Sequence, residues 1–299
     1  MRFVSLWLCC LYASFSLAKS DEVSVGYMYQ AEQHVTTGRK VNGAYIFNQQ
    51  SDRVLKLVTL DWPPYIGDHL CNKGWVFQFT VALLVSKGFE VQISFLPWAR
   101  AVREVELGHA DILFPEYFIE DASPSDTVAG KKRHQLLALS NEFPGGEIGF
   151  LKRKGEPDKF NGNLASLRKE HIGVVRGYQN TPEFDAMMDN SEFNELKVVD
   201  DLQLMRVLQA KRVNLIIGDP TVLRYSVRYS DLSAADKTTL LNGVEDVKPA
   251  LKYNALYFAL SKKIPNWPTL LKEINTALYE FQNSGETERI IQEASTTCP

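Results

Sequence analysis

One pattern constrains this chain more than any other: the order strand, helix, strand, helix, strand occurs twice. In the first copy, 54–60 reads as a strand, 74–87 as a largely apolar helix, 90–96 as a strand, 98–107 as a helix and 110–114 as a strand. The second copy runs 172–175, 181–188, 196–199, 201–210 and 213–217 in the same order. Strands alternating with helices pair in parallel, because each helix carries the chain back across the sheet. Laid together without gaps, LGHADILFPE (107–116) and AKRVNLIIGD (210–219) both run from a helix end through a tight turn and an apolar strand to a carboxylate. Those carboxylates are Glu116 and Asp219. Two ordinary helix-to-strand turns could match by chance, but the shared order of elements before them argues for a repeated unit. The fold class predicted is α/β, with two lobes joined by two crossover strands and a cleft between them.

The crossovers are placed at 148–151, entered through Pro144-Gly145-Gly146, and at 252–260 on the return. Helices at 268–284 and 286–294, broken at Asn283-Ser284-Gly285, would complete the first lobe. This gives a first lobe of 54–145 plus 253–299 and a second of 146–252. Residues 19–53 are polar and weakly patterned, and are read as an N-terminal extension without assigned structure. With 299 residues, 45% of them hydrophobic, the chain can build a substantial core.

Residues 1–18 carry Arg2, an apolar run and a small-x-small ending at Ser16-Leu17-Ala18, the pattern of a cleaved signal peptide. The apolar run is too short to span a bilayer. Trp7 and Leu8 stand where lipidation at Cys9 or Cys10 would want small residues. After cleavage Cys71 and Cys298 remain, either as a disulfide suited to an oxidising compartment or as two buried thiols. The formal net charge of −3 includes no basic tract for nucleic acid, and the five histidines are scattered, so neither a metal nor another cofactor is expected.

In open α/β sheets, ligands sit beyond the carboxyl ends of the strands. In the first lobe that places Trp62 and Tyr65 after one strand, and Glu116 and Tyr117 after another. In the second lobe it places Tyr178, Asn180 and Thr181 on the 177–181 loop, and Asp219 at a strand end. Trp62 and Tyr65 form an aromatic wall stiffened by Pro63 and Pro64, or pack on the lobe's own core. Thr181 before Pro182 suits a helix N-cap, with exposed amides that could take an anion. Glu116 and Asp219 have ordinary uses as turn or cap acids.

From about residue 55 onward the chain resembles the family 3 extracellular solute-binding proteins, which have the type II periplasmic-binding-protein fold. Arg133, seven residues before Ser140, looks like the family's arginine that grips a ligand carboxylate, a role suited to a planar guanidinium. Asp219 resembles the aspartate that receives the ligand's α-amino group, and 177–181 the loop that holds the carboxylate from the other lobe. The segment 96–101, LPWARA, is similar to a pattern in a less characterised branch, which makes Trp98, and with it Arg100, a candidate for the cleft. The chain departs from the family in an insertion at 120–126 and in Phe114-Pro115-Glu116-Tyr117, where small and hydroxyl residues are usual. A cleft-facing Glu116 would oppose a second carboxylate and favour a cationic or hydroxylated ligand. The resemblance implies a monomeric periplasmic protein that closes by a hinge on a small amino-acid-like ligand, or another carboxylate or amine. It would then present the ligand to a membrane permease, as in ABC transport, or to a sensor. Two other readings share the fold: a cyclohexadienyl-dehydratase-like enzyme using Glu116 or Asp219, and a regulatory domain for a cell-wall fragment. With no nucleophile–base pair or phosphate loop in the sequence, no catalytic residue is assigned.

Overall fold

The computed structural model describes residues 22–297, so the expected signal peptide and Cys298, with its expected pairing to Cys71, lie outside the described residues. The chain opens with an antiparallel meander of β1 (Glu22–Tyr29), β2 (Glu32–Val41) and β3 (Ala44–Phe47). Its two turns are two-residue hairpins, Gln30-Ala31 and Asn42-Gly43, with positive φ at every position. Such turns match the natural twist of paired strands. Val25, Tyr27, Tyr45 and Phe47 point from this meander into the core of the first lobe.

The first repeat forms β4 (Val54–Thr59), α1 (Trp75–Ser86), β5 (Glu90–Phe95), α2 (Trp98–Glu106) and β6 (Ile112–Glu116). α1 is apolar on nearly every face and is accordingly a buried helix, eight of its residues being inaccessible. α2 is amphipathic: Trp98, Ala101, Val102, Val105 and Glu106 face inward at helical spacing, and Arg100 is exposed. β5 and β6 flank β4 in parallel, and β3 pairs antiparallel with β5, which joins the meander to that edge. All five residues of β6 are buried, as expected of a central strand.

After the short helix α3 (Arg133–Leu136) and strand β7 (Leu137–Leu139), the chain leaves the first lobe along β8 (Phe143–Arg153). The second repeat forms β9 (His171–Val175), α4 (Pro182–Asp189), β10 (Asn194–Val198), α5 (Asp201–Gln209) and β11 (Leu215–Gly218). β10 and β11 flank β9 in parallel, as β5 and β6 flank β4. Each triplet is then bordered by an antiparallel crossover strand, β8 beside β11 and β12 (Val244–Ser261) beside β6. The two lobes therefore repeat one plan. Helices α6 (Pro220–Arg228) and α7 (Ala234–Asn242) fill out the second lobe, while α8 (Trp267–Asn283) and α9 (Glu286–Thr297) return to pack against α1.

β8 and β12 pair with each other along both lobes, and their ladder is interrupted between Val247 and Lys252 and again between Asn254 and Leu256. Among the described residues, no helix is long and apolar enough to cross a membrane.

Candidate functional site

The carboxyl ends of the two parallel triplets face one another across a seam. From the first lobe, β4 runs into a tight turn closed by hydrogen bonds between the Trp62 and Ile66 backbones at 2.7 and 3.1 Å. This turn presents Trp62 and Tyr65 as a stacked pair, ring centroids 4.6 Å apart, with Tyr117 edge-on to Trp62 at 5.6 Å. Trp98, at the first turn of α2, meets Tyr178 of the second lobe edge-on at 6.0 Å.

Hydrogen bonds between side chains and groups of the facing lobe hold the two together at this seam. The Tyr65 hydroxyl donates to Asp219 Oδ2 at 2.9 Å, Trp98 Nε1 donates to the Gly177 carbonyl at 2.9 Å, and the Ser123 hydroxyl donates to Gln179 Oε1 at 2.7 Å. Ser123 belongs to the 120–126 insertion, so that segment forms part of the contact between lobes. On β8, a Cβ at Gly146 would collide with the Tyr65 hydroxyl and the Asp219 carboxylate, and one at Gly145 with the Asn254 carbonyl. The absence of side chains there lets the seam close. Among these aromatic rings the closed seam encloses a cavity of about 20 Å³, lined among others by Leu60, Trp62, Trp98, Glu116, Tyr117 and Tyr178. That is room for about one water, so anything the size of an amino acid requires the lobes to part.

Charge at the seam is unbalanced. Arg133 is 3% exposed; its Nη2 donates to Glu116 Oε2 at 2.7 Å and its Nε to Glu106 Oε1 at 3.3 Å. Ser125, also from the insertion, donates to the other Glu106 oxygen at 2.6 Å. Burial pushes Glu116 above the ordinary carboxyl range against the pull of Arg133. Across the seam, Asp201 accepts from the Tyr178 hydroxyl at 2.8 Å, and burial raises its pKa to about 7. Burial raises Asp219 in the same way. Buried Tyr117 sits among these groups: burial first, then the charges of Asp219, Tyr65, Asp201 and Glu116, hold its phenol well above the usual range. Its hydroxyl has no hydrogen-bond partner, nor do Asp201 Oδ1 and Arg133 Nη1. Buried polar atoms are normally paired, so such atoms mark a place where a partner belongs.

The residues singled out in the sequence fall into four groups. Trp62, Trp98, Glu116, Tyr117 and Tyr178 line the cavity. Tyr65 and Asp219 form the latch beside it, and Asp219 also caps α6 through Thr221 and Val222. Asn180 and Thr181 serve the start of α4: Thr181 Oγ1 accepts from Phe184 N, and Asn180 is tied to Asp185 and to Asn254. Arg133 is held inside the first lobe by its two glutamates, an arrangement its sequence spacing did not suggest.

Glu106, Gln179 and Asp201 were missed. Glu106 carried a visible signal, as a carboxylate on the apolar stripe of α2. Asp201 carried one too, since the offset that lays Asp219 over Glu116 also lays Asp201 over Trp98. Gln179 had no such mark. Among the described residues, no group of His, Cys, Asp and Glu is arranged to hold a metal ion.

The Tyr65–Asp219 latch makes a direct prediction. Tyr65→Phe removes a hydrogen bond to a buried carboxylate, about 1.5–3 kcal/mol from the closed arrangement. The radius of gyration from small-angle X-ray scattering is expected to rise. An unchanged scattering curve would show that the latch does not hold the lobes.

No protein-family model and no curated protein sequence matches the chain. Solved structures do. An ancestral arginine-binding protein bound to arginine superposes with a TM-score of 0.62 at 18% identity, over 80% of this chain and 97% of its own. A histidine kinase sensor domain with similarity to periplasmic binding proteins gives 0.63 at 16% identity, over 81% and 96%. The GluR0 ligand-binding core in complex with L-glutamate gives 0.60 at 18% identity, over 81% and 98%. At these identities the likeness is one of fold, and that fold is the two-lobed type II periplasmic-binding-protein fold.

Proposed function

We propose that the chain is an exported, non-enzymatic solute-binding protein that takes a small polar ligand into the seam between its lobes. The observation that carries this reading is the pair of buried polar groups without partners at the seam, the Tyr117 hydroxyl and Asp201 Oδ1, one from each lobe. A ligand that satisfied both would favour closure over the open form, which is how differential affinity drives a conformational change. Hinge bending is assigned to β8 and β12, where the interruptions in their ladder leave fewer hydrogen bonds to distort. Export through residues 1–18 to the periplasm and a Cys71–Cys298 bridge belong to the same reading. So does a monomer whose closed form is recognised by a membrane permease or a sensor; the sensor-domain neighbour is consistent with the latter. A dehydratase would need Glu116 or Asp219 free to move a proton. Glu116 is engaged by Arg133 and Asp219 by Tyr65, so no observation favours that chemistry.

The reading is tested by a thermal-shift screen of the purified protein against amino acids, amines, small acids, sugars and cell-wall fragments. A ligand present at a hundred times its Kd adds about 2.7 kcal/mol to stability and raises the melting temperature. Indifference to every class would overturn the proposal.

A further inference from the structure

We infer that the cleft selects a small organic cation, an amine bearing a hydroxyl, over a ligand with a free carboxylate. The inference rests on the binding-protein reading above and names the ligand class for the same site.

The lining favours a cation. Trp62, Trp98, Tyr117 and Tyr178 bring four aromatic rings around one cavity, two of them indoles. The faces of such rings attract cations and offer nothing to an anion. The charge around the cavity favours one too. Glu116 from the first lobe and Asp201 and Asp219 from the second all act on Tyr117 at the cavity wall, and Arg133 is already bound to Glu116 and to Glu106 behind it. A carboxylate entering here would be one more anion among these acids, whose nearest cation, Arg133, already neutralises both glutamates. A cation would instead be placed beside carboxylates that lack sufficient counter-charge. A separate groove of about 170 Å³ between the lobes is bordered by Asp61, Asp200 and Asp201 and so carries the same sign of charge.

The unpaired hydrogen-bonding groups suit the same ligand. Asp201 is 4% exposed with Oδ1 unpartnered, and Tyr117 is 7% exposed with its hydroxyl unpartnered and its ring on the cavity wall. Both accept a hydrogen bond from an ammonium or a hydroxyl.

The test uses the intact protein and a size-matched series at pH 7.5: 2-aminoethanol and choline as cations, glycine as zwitterion and glycolate as anion, titrated calorimetrically. A cation is expected to bind at least about tenfold more tightly than glycine, with glycolate weaker still. Asp201→Asn is expected to weaken the cation about tenfold while its urea midpoint at that pH does not fall. Tighter binding of glycine or glycolate would overturn the inference and leave the binding-protein reading standing. The cation preference also fails, with that reading intact, if none of the four binds while the wider screen finds a sugar or an acid. If nothing in either set binds, the binding-protein reading itself fails.

Discussion

Replacing Arg133 with methionine is expected to remove about 3–5 kcal/mol of folding stability. The guanidinium is the counter-charge for two carboxylates, Glu106 with no exposed surface and Glu116 with 2%. Methionine fills much of the same volume, so the loss would reflect an uncompensated charge more than a cavity. The double variant Arg133→Met with Glu116→Gln is expected to recover part of it, because the glutamine needs no counter-charge. Urea denaturation of the two variants beside the parent reads the difference as a shift in midpoint. A loss below about 1 kcal/mol in the single variant, the scale of an exposed ion pair, would mean that Arg133 reaches water and is free to serve a ligand.

Stability is also expected to fall as pH rises through neutrality. The Asp201 carboxyl holds its proton to about pH 7 in the folded protein, against 3.8 for an ordinary aspartate. Between those values the folded chain binds more protons than the unfolded chain, so the slope of stability with pH is negative. The contribution is fully present below pH 3.8 and is lost as pH climbs through about 7. Asp185, raised to about 6 by burial, acts in the same direction. The lowered carboxylates Asp68, Glu156 and Glu170 have the opposite sign, and their effect falls in the acid range, below the usual glutamate value. From pH 5 to pH 8, Asp201 alone should account for about 2–3 kcal/mol. Asp201→Asn removes that part of the slope, and urea midpoints at the two pH values measure it. An unaltered slope would show that Asp201 is ionised throughout.

Local pattern made much of the architecture legible. The apolar run of α1, the amphipathic spacing of α2 and the short β-branched strands each report their own environment, because a helix or strand buried on a given face must be apolar on that face. Their repetition in order was enough for two similar lobes. The N-terminal meander was not read from the sequence, although Asn42-Gly43 between Val41 and Ala44 is a strong two-residue hairpin signal. Polar residues on the exposed face of β2 obscured it. Its seat beside β5 was not readable, because edge pairing is made by backbone groups that every residue carries.

The site divides in the same way. Strand ends and helix starts brought Trp62, Tyr117, Tyr178 and Asp219 into consideration, and all four lie at the seam. Partnership was another matter. Nothing in the order of residues ties Arg133 to Glu106, 27 positions away, or Tyr65 to Asp219, 154 positions away.

The sequence by itself determined the elements and their duplication, since both follow from periodicities set by the helix and the strand. Only the tertiary structure decided the electrostatics of the cleft. Which charges are buried, which are paired and which are left facing an aromatic cavity depends on distances of a few ångströms between distant segments. Those distances are set by how the two lobes close.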